Sequence, residues 1–216
     1  MTTEAPPIRR PRADAERNRR RILDAASAVF AEHGPSATLG DVAAEAGVGI
    51  GTIYRKFPDK SALLDALFDD KIGDVMAVVD DASALNDPGE AFRAYLSGMI
   101  EVHARDRSLA TVLFGPDRFD RFPAEVSERL ATAADRLIAE AVAAGELRPG
   151  FTRQDTIALG VMVSTLAMAY RERGPELWRR YATMVVDGTR PSASASPLAP
   201  QPPAFRAMAE SLSRVL

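Results

Sequence analysis

Apolar residues recur at three- and four-residue spacing along almost the whole chain, and sustained period-two alternation is missing. That spacing fits the turn of an α-helix, about 3.6 residues, and not the pleat of a strand, so an all-α fold is expected. Glycine and proline mark where one helix gives way to the next. Ile22, Leu23, Ala26, Val29 and Phe30 form the stripe of a first helix, expected from Ala15 to His33 and ended by Gly34 and Pro35. Thr38 reads as the N-cap of a short second helix, with Asp41 near the positive end of its dipole and Leu39, Val42, Ala43 and Ala46 facing inward. Gly47 breaks that helix. A third short helix is expected over 50–57, closed by Pro58, and Asp59 caps a long fourth whose apolar positions run from Leu63 to Val79.

Further along, Asp87, Pro88 and Glu90 supply a cap, a first-turn proline and an acid for a fifth helix. A sixth is expected over 108–114 and a seventh from Pro123 to Gly145. An eighth, capped by Thr152, runs to about Tyr170, and a ninth, opened by Pro175, runs to about Thr189. The stretch PSASASPLAPQPP from Pro191 to Pro203 cannot bury a core and reads as a mobile linker. Phe205, Met208, Leu212 and Val215 then mark a short amphipathic tail. The expected organisation is an arm over 1–14, a small helical unit over 15–60, a helical bundle over 61–190, the linker over 191–203 and the tail over 204–216.

Several classes of function fall away on composition and motif. The chain has no cysteine, hence no disulfide framework and no thiolate nucleophile or ligand. The basic N-terminus is not followed by an apolar signal segment, and no apolar run of membrane-spanning length occurs, so a cytoplasmic protein without membrane contact is expected. Gly-rich phosphate loops, GxSxG and HExxH are missing, and only His33 and His103 offer imidazole, so neither an enzyme nor a bound cofactor is expected. The net charge of -3 hides an asymmetry: Arg9, Arg10, Arg12, Arg17, Arg19, Arg20 and Arg21 make the N-terminus basic on an acidic body. A basic arm of this kind either contacts nucleic acid or is a solvated tail.

Two short helices joined by a glycine turn and braced by a longer helix are the layout of a helix-turn-helix DNA reader, and also of some ordinary bundles. The residues RRRILDAASAVFAEHG and TLGDVAAEAGVGIGTIYRKFPDKSALLDALF resemble the N-terminal domain of the TetR family of transcriptional regulators. Ile22, Ala25, Ala26, Phe30, Gly34, Thr38, Val42, Ala43, Ala46, Gly47, Val48, Tyr54, Phe57, Lys60 and Leu63 stand at that family's spacings. The C-terminal half is similar to the family in helix layout alone.

The resemblance implies a homodimer on a near-palindromic operator, released by a small-molecule effector. Thr38, Tyr54 and Lys60 match phosphate-contacting positions, and Gly49, Ile50, Gly51, Thr52 and Arg55 fall where bases are read. Gly49 departs from the family, which usually places serine or threonine there, so the third helix is expected to start without a side-chain cap. Arg10 and Arg12 are further candidates, for the minor groove or for phosphates. For the effector pocket the candidates are Phe92, Tyr95, Met99, His103, Phe114, Met162, Thr165 and Met168, each of which is also an ordinary core residue by type. The last two bundle helices are similar to the family's dimer-forming pair and carry Leu159, Met162, Val163, Leu166, Trp178, Tyr181, Met184 and Val185. Two alternatives stay open: an activator instead of a repressor, and a helical protein-interaction module with weak or no specific DNA binding.

Overall fold

The computed structural model describes residues 11–106, 123–193 and 195–212. Among them are nine α-helices and no strand: α1 (Pro11–His33), α2 (Leu39–Glu45), α3 (Ile50–Lys56), α4 (Lys60–Ser83), α5 (Pro88–Arg105), α6 (Ala124–Ala143), α7 (Arg153–Ala169), α8 (Trp178–Asp187) and α9 (Phe205–Leu212). The helix expected over 108–114 lies outside the described residues. The chain divides into two compact units, Met1–Leu67 and Phe68–Leu216, and the division falls inside α4.

In the first unit α1 begins at Pro11 and not at Ala15. Proline in the first turn forfeits no helical hydrogen bond, and an Arg17–Asp14 ion pair at i,i+3 spacing supports the turn that follows. The inner stripe of α1, Ile22, Ala26 and Phe30, is essentially solvent-free, and so are Val42 of α2, Ile53 of α3 and Leu63 and Leu67 at the start of α4, which make up the core of this unit. Gly47, between α2 and α3, has φ of +61°, a backbone conformation that costs a residue with a β-carbon roughly 1–2 kcal/mol. Its amide donates to the Ala44 carbonyl at 3.1 Å, closing the tight turn.

The second unit is organised around α5, whose Phe92, Leu96 and Ile100 are sealed from solvent together with Leu137 of α6 and Val163 of α7. Asp87 caps α5 by accepting from the Glu90 amide at 2.7 Å. Thr152 and Asp155 form the reciprocal cap of α7, with the Thr152 amide donating to the Asp155 carboxylate at 2.7 Å. The start of α8 differs from expectation: it begins at Trp178, and Pro175–Leu177 forms a tighter turn with i to i+3 bonds, including Leu177 to Gly174 at 2.9 Å.

Residues after α8 run back over the α6–α7 turn. The Arg148 amide donates to the Thr189 carbonyl at 2.9 Å, and its guanidinium donates to the Ser196 carbonyl. The stretch expected to be a mobile linker is thus fastened, and it leads into α9, whose Met208 and Ala209 are buried.

Candidate DNA-reading face and ligand cavity

The reading face is built by α2 and α3. Thr38 caps α2 through a reciprocal box: its hydroxyl oxygen accepts from the Asp41 amide at 3.2 Å, while its own amide donates to the Asp41 carboxylate at 2.8 Å. The Thr38 hydroxyl and amide hold the Asp41 carboxyl below its ordinary value. Gly49 is the N-cap of α3, with extended backbone and no side-chain bond, so the helix starts on backbone geometry alone. Ile53 anchors α3 in the core, which turns Ile50, Gly51, Tyr54 and Arg55 outward. Ile50 is 45% exposed and Tyr54 is 54% exposed, so both side chains are available on the outer face of α3. Thr52 is half-buried.

Cations brace this face from behind. Lys56 Nζ donates to the Ala15 carbonyl at 3.4 Å, and the Arg19 guanidinium lies 5.8 Å from the centre of the Phe57 ring. Lys60, the first residue of α4, holds its ammonium 5.4 Å from the centre of the Phe30 ring, a cation–π contact that ties it to the core of the same unit. Arg12 is in the first turn of α1. Arg10 and the side chain of Arg12 lie outside the described residues.

The second unit contains a cavity of about 140 Å³ with mostly apolar walls. Ile72, Val75 and Val79 of α4, Tyr95, Met99 and His103 of α5, and Leu130 and Ala134 of α6 face it. Ser127 and Ala131 of α6, Arg153 and Ile157 of α7 and Phe205 of α9 line it too. Tyr95, Met99 and His103 stand at i, i+4 and i+8, one stripe of α5. Burial pushes the Tyr95 phenol up to about 12, so it is a neutral hydroxyl; the Thr156 hydroxyl lies close by without a well-formed hydrogen bond. Arg153, the one cation in the wall among the described residues, is paired with Asp135 at 2.6 Å.

His103 is 2% exposed. Its Nδ1 lies 2.8 Å from the Met99 carbonyl, which can only accept, so Nδ1 carries the hydrogen. Desolvation holds the imidazole below its ordinary value, outweighing the Met99 carbonyl and the Asp106 carboxylate, and Nε2 is left as an acceptor with no partner. Because the folded imidazole resists protonation while the unfolded one titrates near 6.5, the unfolded chain binds the extra proton as pH falls below that value. Stability is therefore expected to be full above pH 6.5 and to decline below it. A His103→Phe variant should show a flatter decline in unfolding scans from pH 8 to pH 5.5; an identical decline in both proteins would reject the assignment.

The remaining pocket candidates fall elsewhere. Phe92 is buried and packs edge-on against Phe151, ring centres 5.3 Å apart, as core and not as wall. Met162, Thr165 and Met168 are a correction: all three are exposed, Met162 by 61%, and the Thr165 hydroxyl is spent on the Val161 carbonyl at 2.9 Å. α7 is apolar on most sides, so its stripe does not disclose which face turns inward. Phe114 lies outside the described residues. The wall residues Ile72, Val75, Val79, Leu130 and Ile157 read in the sequence as packing stripes alone. Phe205, an anchor of the tail, carried no sign of its destination.

On the outer side of α7 and α8, Met162, Met168 and Tyr170 are exposed together with Met184, at 62%. Val163 and Trp178, grouped with them in the sequence, are buried within the unit. Among the described residues no group of three His, Asp or Glu side chains is placed to hold a metal ion, and no helix is long and apolar enough to cross a membrane.

Comparison with known proteins gives two successive matches. Residues 22–67 match the bacterial regulatory proteins of the tetR family, and residues 87–191 match the C-terminal domain of SbtR-like transcriptional regulators. The HTH-type transcriptional repressor LfrR of Mycolicibacterium smegmatis is 58% identical over 52 residues, which make up 24% of this chain and 27% of LfrR. The chain thus spans between about a quarter and two fifths of the length of the curated relatives it matches. Among solved structures, the TetR transcriptional regulator SCO0520 of Streptomyces coelicolor is 30% identical, with a TM-score of 0.53 over 81% of this chain and 99% of that one. LfrR from Mycobacterium smegmatis in complex with proflavine is 25% identical, with a TM-score of 0.60 over 83% of this chain and 99% of that one.

Proposed function

Because this chain belongs to the TetR family of bacterial regulatory proteins, we propose that it is a homodimeric repressor that binds a near-palindromic operator through α2 and α3 and releases it when a small molecule occupies the α4–α7 cavity. The observation that carries the reading is the pairing, in one chain, of a capped helix-turn-helix whose α3 exposes Ile50, Tyr54 and Arg55 with a separate helical unit that holds an apolar cavity. An α-helix fits the major groove, and in this reading the start of α2 approaches a backbone phosphate. Thr38, Tyr54 and Lys60 anchor phosphates in this reading. Thr52 and Arg55 donate to bases, and Ile50 packs on a thymine methyl.

Two glycines where bases are read leave few donors, so discrimination per base pair rests mainly on Arg55 and Thr52, at about 1–3 kcal/mol for a well-formed pair. Arg10 and Arg12 supplement it through the backbone or the minor groove. The homodimer forms through the outer faces of α7 and α8, where Met162, Met168, Tyr170 and Met184 offer apolar surface. LfrR bound to proflavine is a precedent for a related repressor with a small-molecule ligand. α4 contributes to both units and to the cavity wall, and it carries the effector's influence towards the reading face.

The test is selection from a pool of random duplexes at two salt concentrations, beside a Tyr54→Ala control. A two-fold symmetric site should be enriched, with affinity falling by about two orders of magnitude or more between 50 and 200 mM salt. The control should bind more weakly. Binding that ignores both salt and Tyr54 would overturn the reading.

A further inference from the structure

Among the described residues, every wall residue of the cavity but one comes from α4–α7, and the exception is Phe205 of α9. An eight-residue helix is too short to hold together by its own backbone bonds, so α9 depends on the docking of one of its faces. Phe205, Met208, Ala209 and Leu212 stand at i, i+3, i+4 and i+7, the spacing of one face, and Arg206, Ala207, Glu210 and Ser211 make up the exposed remainder. Within that face Met208 and Ala209 are buried, whereas Phe205 is half-buried. Docking thus takes up the middle of the face and leaves part of Phe205 as cavity surface.

The approach to α9 is fastened as well. The Arg148 guanidinium donates to the Ser196 carbonyl, and Leu198 passes the α6–α7 turn closely enough that a β-carbon on Gly150 would stand 3.8 Å from its own. The Met208 amide donates to the Ala204 carbonyl at 3.1 Å, so the helix starts directly at Phe205. The cavity is present with α9 in place, and room for a guest therefore coexists with the docked helix. A guest that touches Phe205 gains contacts that exist only while α9 is docked, and a differential contact of this kind shifts the docking equilibrium. By linkage the docked helix raises the affinity for the guest by the same factor.

We propose that α9 is a working part of the ligand site: Phe205 is a guest-contacting residue, and the guest and the docked tail hold one another in place. This role rests on the effector-site reading of the cavity. Ser127 and Arg153 give the wall polar points as well, and Phe205 meets the apolar portion of the guest.

The probe is N-phenyl-1-naphthylamine, a neutral aromatic dye that brightens in apolar surroundings. It is titrated by fluorescence into the full chain, and hydrogen exchange of the α9 amides is followed with and without it. In the unaltered protein, saturating dye should slow α9 exchange by about five- to tenfold, the order expected from one aromatic contact. Phe205→Ala removes the ring and Met208→Asp undocks the helix. Each should bind the dye more weakly by a similar factor, about five- to tenfold, and in neither should the dye slow α9 exchange. Ala134→Phe fills the cavity from α6 and should exclude the dye. The exchange measurement is made on the unaltered protein, so it decides even where a variant misfolds. Equal affinity in the unaltered chain and both tail variants, tighter binding by either variant, or α9 exchange unchanged or faster with dye would overturn the role of Phe205 and leave the cavity as a ligand site. No binding by the unaltered chain, or undiminished binding by Ala134→Phe, would overturn the effector-site reading and this role with it.

Discussion

Replacing Phe30 with alanine should abolish operator binding while leaving the second unit folded. Phe30 is almost completely buried in the core of the first unit, and truncation of such a ring costs about 3–5 kcal/mol from lost transfer energy and the cavity left behind. The first unit is small, and small domains hold only a few kcal/mol in reserve, so a loss of that size is comparable to its whole stability. Removal of the ring also takes away the surface on which Lys60 rests. In hydrogen exchange, amides of α1–α3 should lose protection while those of α5–α7 keep it, and duplex binding should disappear. Phe30→Leu, which refills most of the volume, should be intermediate. Retained protection in α1–α3 of the alanine variant, or loss in both units together, would contradict the division into two units.

The second large effect concerns Lys71, a buried lysine on α4. Its ammonium is ion-paired with Asp106, at the C-cap of α5, and lies 3.6 Å from the Asp70 carboxylate. Deleting one member of a buried pair costs about 3–5 kcal/mol, because the other charge stays behind in a poor solvent for it. Asp106 keeps some exposure, so about 2–4 kcal/mol is expected for Lys71→Met in urea unfolding. The double variant Lys71→Met/Asp106→Asn should recover part of that loss, since Asp106 is then not left as a charge without its partner, while Asp70 still loses its contact with Lys71. A single-variant cost below about 1 kcal/mol would show that the pair behaves as a surface ion pair. Lys71 stands beside Ile72, a wall residue, so the same variant should also change how firmly α4 and α5 bound the cavity.

Legibility in the sequence followed the range of the interaction involved. Thr38 with Asp41, Asp87 with Glu90 and Thr152 with Asp155 are contacts over three residues, and their chemistry is written in adjacent letters. Gly47 and Gly49 were readable for the same reason: a turn and an uncapped helix start are local events. The start of α1 was misplaced because residues 11–14 have no apolar stripe to extend, and a first-turn proline is compatible with either boundary. Pocket residues were a harder matter. Tyr95, Met99 and His103 share one clear stripe of α5, whereas Met162 and Met168 sit on a helix apolar almost all round, and which side faces inward is decided by partners distant in sequence. Phe205 belongs to the same class, since its place in the wall depends on a docking that no local pattern encodes.

That placement of Phe205 makes part of the cavity wall a tethered one. The match to the C-terminal domain of SbtR-like regulators ends at residue 191, so α9 lies beyond the matched segment, at the end of a proline-rich connection held at Ser196. A segment joined to its own docking site meets it at a local concentration of millimolar order, fixed by the length and stiffness of the connection. Cellular abundance does not enter. The completeness of this part of the wall is therefore the same in every molecule, and it is set by the connecting residues as much as by the wall itself.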